Sequence, residues 1–158
     1  MDSYITSLMT NLGYLGMFIG MVLEAVIIII PSELILATAG ILAGRGFFSF
    51  SMALLIGVLG SVFCAIIIYA FGYFGGRPFI KTYGKFFFMK EEDIDKCDKW
   101  FNKYGPWAAF IGRNFPIIRT LISLPMGVSK VPFLKFVIYT TLGSIPWTFA
   151  FVYVGYAL

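Results

Sequence analysis

FIGRNFPIIRTLISLPMG, Phe110 to Gly127, decides how this chain folds. Arg113 and Arg119 stand in an otherwise uncharged run, with Pro116 between them and Pro125 shortly after. Only nine residues separate Pro106 from Pro116, and Ile117 to Val128 supplies twelve. At about 1.5 Å per helical residue, each arm reaches roughly half of a ~30 Å hydrocarbon layer. The stretch reads as a re-entrant hairpin that enters an apolar layer and returns to the same face, with the helix broken at Pro116 and again near Pro125.

The rest of the chain requires such a layer. Its 158 residues are 59% hydrophobic and 13% charged, with a mean hydropathy of +0.89, whereas roughly a quarter of a soluble domain is charged. Gly46 to Gly76 carries no charge, nor does Phe136 to Leu158, so each can cross a bilayer as a helix. The opening MDSYITSLMTNLGYLG lacks the basic start of a cleavable signal peptide, so the first apolar run is expected to stay in the mature protein. Histidine is absent, which removes His-based triads, His metal sites and histidine-dependent phosphatases. Cys64 and Cys97 are too few for a metal or disulfide framework. No enzyme activity, metal, cofactor or nucleic-acid partner is expected.

The two halves match in order. YLGMFIG at Tyr14 to Gly20 aligns with PWAAFIG at Pro106 to Gly112, Ala39-Gly40 with Met126-Gly127, and LGS at Leu59 to Ser61 with LGS at Leu142 to Ser144. Twelve residues after each LGS glycine comes another matched glycine, Gly72 in AFGY and Gly155 in YVGY. The shared order marks a duplication: repeat 1 over about residues 13–76, a linker over 77–103, and repeat 2 over about 104–158, in one membrane domain. In the first copy Pro31 to Gly44 is again too short to cross, and Pro31 interrupts the helix. A re-entrant hairpin plus one spanning helix crosses the layer an odd number of times, so the second copy must be inverted. The expected fold is an all-α integral membrane protein of two inverted repeats, each a re-entrant hairpin and a transmembrane helix.

Charge placement fits that topology. Arg77, Lys81, Lys85, Lys90, Lys96, Lys99, Lys103, Lys130 and Lys135 fall on the linker side and Arg45 alone on the other, which makes the linker side cytoplasmic. Within the linker, KEEDIDKCDKWFNKYG sets Ile94, Cys97, Phe101 and Tyr104 at helical spacing, with Glu92/Lys96 and Asp95/Lys99 as i,i+4 pairs. It reads as an interfacial helix, either a docking surface for headgroups or a partner, or a solvated connector anchored by Trp100 and Phe101.

Glu24, Glu33, Arg113 and Arg119 remain at membrane depth, acidic in the first copy and basic in the second. Each costs roughly 2.5–3.5 kcal/mol at the centre of a membrane helix, so the four need a purpose. Both basic sites are arginine although most basic residues of the chain are lysine. A guanidinium keeps its proton in a poor solvent and presents a fork that matches phosphate or carboxylate oxygens. Backbone N–H groups after Pro116 would add to an anion site. A glutamate in a poorly hydrated hairpin has a raised proton affinity and suits proton coupling, Glu33 best because it neighbours Pro31 and Ser32. Alternatively, Glu24 and Glu33 neutralise the arginines and lock the hairpins together; a bridge that phosphate can displace would serve both ends. Gly16/Gly20, Gly40/Gly44 and Gly72/Gly76 have GxxxG spacing, which suits close helix packing.

These residues resemble the DedA family of membrane proteins, the SNARE-associated or VTT-domain group, from about Gly13 to Leu158. FIGRNFPIIRTLISLPMGVSKVPFLKF resembles the family's arginine hairpin, Arg-x-x-Pro-x-x-Arg followed by Pro-x-Gly, and EAVIIIIPSELIL its acidic hairpin. The resemblance implies a multi-pass protein of the bacterial cytoplasmic membrane that flips undecaprenyl phosphate or a phospholipid such as phosphatidylethanolamine, using the proton gradient. Arg113 and Arg119 would bind the phosphate, and Glu24 and Glu33 would couple protons. Family members usually continue into a further span, where this chain ends at Leu158. Self-association is left open, and a small-ion or drug/proton antiporter and a non-transporting envelope scaffold stand as alternatives.

Overall fold

A computed structural model describes the backbone of residues 2–23, 32–87, 90–105, 107–115 and 118–158, with side chains for these apart from 2–10, 86–87, 118 and 120. Every element among them is helical: α1 Asp2–Leu23, α2 Ser32–Gly44, α3 Phe50–Tyr83, a 3-10 turn Gly84–Phe87, α4 Glu91–Tyr104, α5 Trp107–Gly112, α6 Ile118–Leu121, α7 Ser123–Val128 and α8 Phe133–Ala157. Among the described residues α3 and α8 are long and apolar enough to cross a membrane. Both extend past the uncharged stretches read from the sequence. α8 begins three residues earlier and takes in Lys135, while α3 bends at Gly76, whose φ of 59° only glycine adopts readily, and continues through Arg77 and Lys81. The segments around the arginines form the short helices α5, α6 and α7, none able to cross a bilayer.

The long helices are inside out by the standards of a soluble protein. On α3 the buried positions between Ala53 and Ala65 are small, Ala53, Gly57, Gly60, Ser61, Cys64 and Ala65, with Ile68 and Tyr69 buried beyond them, while Leu55, Leu59, Phe63 and Phe71 face outward. In lipid, outward leucines and phenylalanines cost nothing, and small inward residues let backbones approach. The chain gathers into two compact units, residues 1–63 with 145–158, and residues 64–144. Their limits fall inside α3 and α8, so each unit takes part of both long helices and does not follow the repeat boundaries.

Within the first unit a Cβ on Gly40 would strike the Val152 carbonyl oxygen, and one on Gly155 the Ala37 carbonyl oxygen. α2 and the end of α8 therefore pack backbone to backbone. In the second unit a Cβ on Gly127 would strike the Tyr69 carbonyl oxygen, and one on Gly72 that of Leu124, so α7 and the later part of α3 pack in the same way. These four glycines are the matched anchors of the two halves. Two further correspondences accompany them: Gly20 meets Ile35 as Gly112 meets Ile122, and Gly60 meets Met21 as Gly143 meets Arg113. The GxxxG spacing is only partly used for packing, because Gly16 has open space beside it and Gly76 forms the bend.

The linker helix α4 turns Ile94 and Phe101 inward and ends at Gly105, with φ 60°. Its i,i+4 ion pairs do not form among the described residues. Asp95 instead accepts from Arg77 at 2.8 Å, Asp98 from the same Nη2 at 3.3 Å, and Glu91 lies 3.7 Å from Lys81. The Gly76 bend carries Arg77 to two carboxylates at i and i+3, an arrangement one lysine on the helix cannot match. Ser129 also donates to Asp98. These pairs are exposed and contribute little stability singly.

Replacing Gly127 by Val should lower stability in detergent by roughly 1–3 kcal/mol because the backbones must separate, whereas Gly16→Ala should stay within about 0.5 kcal/mol of wild type. Thermal unfolding of the two purified variants makes the comparison, and equal losses would contradict the packing described.

Candidate functional site

The second unit buries two arginines. Arg113 and Arg119 are 2% and 1% exposed, among the largest fully buried side chains described. α5 ends at Gly112 and delivers Arg113 into a turn in which Asn114 N–H donates to Ile111 O at 3.1 Å and Asn114 Nδ2 to Phe110 O at 2.7 Å. Arg119 lies in α6, its N–H donating to Phe115 O at 2.9 Å. The turn and the one-turn helix thus set the two arginines on either side of residues 116–117.

Arg113 links this turn to α8 and to α6. Its Nε and Nη2 donate to Ser144 Oγ at 3.3 and 3.1 Å, and its Nη1 donates to the Arg119 carbonyl oxygen at 3.1 Å. Ser144 passes its own proton to Thr140 O at 2.8 Å, which leaves its lone pairs for the arginine. Gly143 makes room: a Cβ there would lie 3.0 Å from Arg113 Cβ and 3.1 Å from Phe110 Cα. Charge-assisted bonds of this kind are worth about twice a neutral hydrogen bond and fix the orientation of the fork. At Gly60, the sequence counterpart of Gly143, the neighbour is Met21.

The other expected site residues are distributed as follows. Glu33 lies in the first turn of α2, half-buried, where the helix dipole favours a negative charge. Pro125 lies in the first turn of α7, where a missing N–H costs no intrahelical bond, and the interruption between α6 and α7 is at Ile122. Glu24, Pro31 and Pro116 lie outside the described residues. Sequence reading treated Ser144 as a repeat anchor and missed its use. The signal was present in the pair Gly143-Ser144, a residue that clears space followed by one that accepts a hydrogen bond.

A cleft of about 420 Å³ opens beside the α7–α8 connection, lined by Ile66, Tyr69, Phe74 and Phe133, with Lys130 at its edge. The Lys130 ammonium lies 5.6 Å from the centre of the Tyr73 ring. On α4 burial, followed by the charges of Asp93 and Asp98, pushes the Cys97 thiol up to about 11, so it is not a ready nucleophile. No group of three or more His, Cys, Asp or Glu side chains suited to a metal occurs among the described residues.

Comparison with known proteins gives a family and several relatives. The model of the VTT domain matches residues 30–157. The chain is 44% identical over 156 residues to undecaprenyl phosphate transporter A of Bacillus subtilis, covering 99% of this chain and 77% of that protein. It is 32% identical to undecaprenyl phosphate transporter A of Staphylococcus aureus, covering 100% of this chain and 80% of that protein. It is also 34% identical to an alkaline phosphatase-like protein of Lactococcus lactis, covering 100% of this chain and 76% of that protein. No solved structure matches.

If Ser144 holds the Arg113 fork, Ser144→Ala should cost roughly 1–3 kcal/mol, because buried N–H groups lose their acceptor. Ser144→Thr should recover most of it. Thermal unfolding in detergent measures both, and an unchanged melting temperature in the alanine variant would remove Ser144 from the site.

Proposed function

The chain belongs to the VTT-domain family, the DedA membrane proteins, and on that premise we propose that it moves an anionic lipid phosphate, undecaprenyl phosphate, between the leaflets of the bacterial cytoplasmic membrane. The observation that carries this reading is the pair of buried arginines, 2% and 1% exposed, linked by the Arg113 Nη1 donating to the Arg119 carbonyl oxygen. Burying two cations is costly, and an incoming dianion offsets that cost in a way that no neutral solute does. The Bacillus and Staphylococcus relatives are named for transport of the same lipid phosphate, which supports this headgroup.

The rest of the proposed mechanism follows from this. Each repeat supplies a re-entrant hairpin and a spanning helix, the second inverted against the first. The equivalent glycine crossings, Gly40 with Gly155 and Gly127 with Gly72, support a common plan for the halves. Arg113 and Arg119 bind the phosphate, and Glu24 and Glu33 take up and release protons, so that loading alternates with access and the proton gradient gives direction. The apolar cleft beside Lys130 suits a hydrocarbon tail lying against a cationic edge.

Arg119→Lys keeps the charge and removes the fork. In proteoliposomes it should lower translocation of labelled undecaprenyl phosphate by at least about tenfold while the protein still inserts and folds. Wild-type transport in that variant would remove the phosphate clamp from the account.

A further inference from the structure

Two more polar groups are buried beside the arginine link, and neither is used by what has been described. Ser123 and Thr140 are both 0% exposed, and their hydroxyl oxygens meet no hydrogen-bond partner. Other helical hydroxyls in the same unit are satisfied by the carbonyl four residues back: Thr141 donates to Val137 O at 2.7 Å and Ser144 to Thr140 O at 2.8 Å. A hydroxyl buried without a partner is unfavourable, and such exceptions in a folded chain call for a reason.

Their register supplies one. Arg113 joins the carbonyl of Arg119 to the hydroxyl of Ser144, so these two positions face each other. The chain leaves Arg119 through α7, turns at residues 129–132 and comes back along α8 to Ser144, so the two segments lead away from and return to the same contact. Ser123 is four residues after Arg119, and Thr140 four residues before Ser144. One helical turn on from the arginine link, the two orphaned hydroxyls therefore stand at corresponding levels, on the arginine face of one segment and the Ser144 face of the other.

Resting on the lipid-phosphate reading above, we infer that Ser123 and Thr140 are headgroup ligands whose hydroxyls donate to phosphate oxygens and select a phosphate monoester over a diester. A monoester dianion offers three terminal oxygens, each able to accept more than one bond, and can engage guanidinium and hydroxyl donors together. A diester offers two and carries a single charge, so it leaves buried donors unmet. The same logic lets a site built to hydrogen-bond its ligand reject an analogue that lacks one group.

The experiment uses the full chain in detergent, with the melting temperature followed as undecaprenyl phosphate or phosphatidic acid, both monoesters, or phosphatidylglycerol, a diester, is titrated in. Ser123→Ala, Thr140→Val and the double variant are compared with wild type. Without lipid the variants should melt at or above the wild-type temperature, since each loses only an unmet polar group. Apparent affinity for both monoesters should fall by about tenfold for each hydroxyl removed, with the weaker diester binding unchanged. Three results would each overturn the inference: monoester affinity equal to wild type in the double variant, an equal loss for monoester and diester, or a lowered melting temperature without lipid. The first of these leaves the transport reading standing, whereas a wild-type protein that binds neither class of phosphate removes both.

Discussion

A guanidinium can leave water only when its N–H groups are met by acceptors, and most of what surrounds Arg113 satisfies that condition. Three of its bonds go to two acceptors on separate segments, Ser144 on α8 and the backbone of Arg119. The requirement extends outward. Ser144 must send its own proton elsewhere, to Thr140 O, and residue 143 must be glycine for the stem of Arg113 to pass. Because Arg113 is held by the carbonyl of Arg119, a movement of either arginine is a movement of both. A ligand that competes for these donors would loosen the link between the hairpin and α8, the kind of two-state element that alternating access needs.

The second constraint is lipid. Without water to drive apolar surfaces together, helices associate by close packing, and the glycine crossings provide it in each compact unit. The first unit pairs Gly40 with Gly155 and the second pairs Gly127 with Gly72, so the same contact is built twice from matched positions. The halves then differ where chemistry differs. Met21 faces Gly60 and Arg113 faces Gly143, so at these sequence-matched glycines one neighbour is apolar and the other a cation.

Much of this was legible in the sequence, for physical reasons that can be named. Uncharged runs of spanning length reveal α3 and α8 because burying charge in lipid is so costly, and the periodicity of Ile94, Cys97 and Phe101 reveals α4. The resemblance to the DedA family was readable from the two proline-containing hairpins, and the VTT-domain match over residues 30–157 agrees with it. What stayed hidden depended on long-range contacts. Asp95 pairs with Arg77 because Gly76 bends the end of α3 toward it, and the spacing within α4 pointed to Lys99 instead. Ser144 read only as a repeat anchor, since its contact with Arg113 exists only once the fold brings α8 against the arginine turn. The GxxxG spacing identified the right residue type but could not separate Gly40, which packs, from Gly16, which does not.

The central claim is that two buried arginines serve to carry a lipid phosphate across the membrane. Leaflet translocation of labelled undecaprenyl phosphate by the purified wild-type protein in proteoliposomes, with and without an imposed pH gradient and with phosphatidylethanolamine as comparison, tests it most directly. The account predicts protein-dependent movement of undecaprenyl phosphate that the gradient accelerates, and little movement of phosphatidylethanolamine. Vesicles in which undecaprenyl phosphate crosses no faster with the protein than without it would contradict the account.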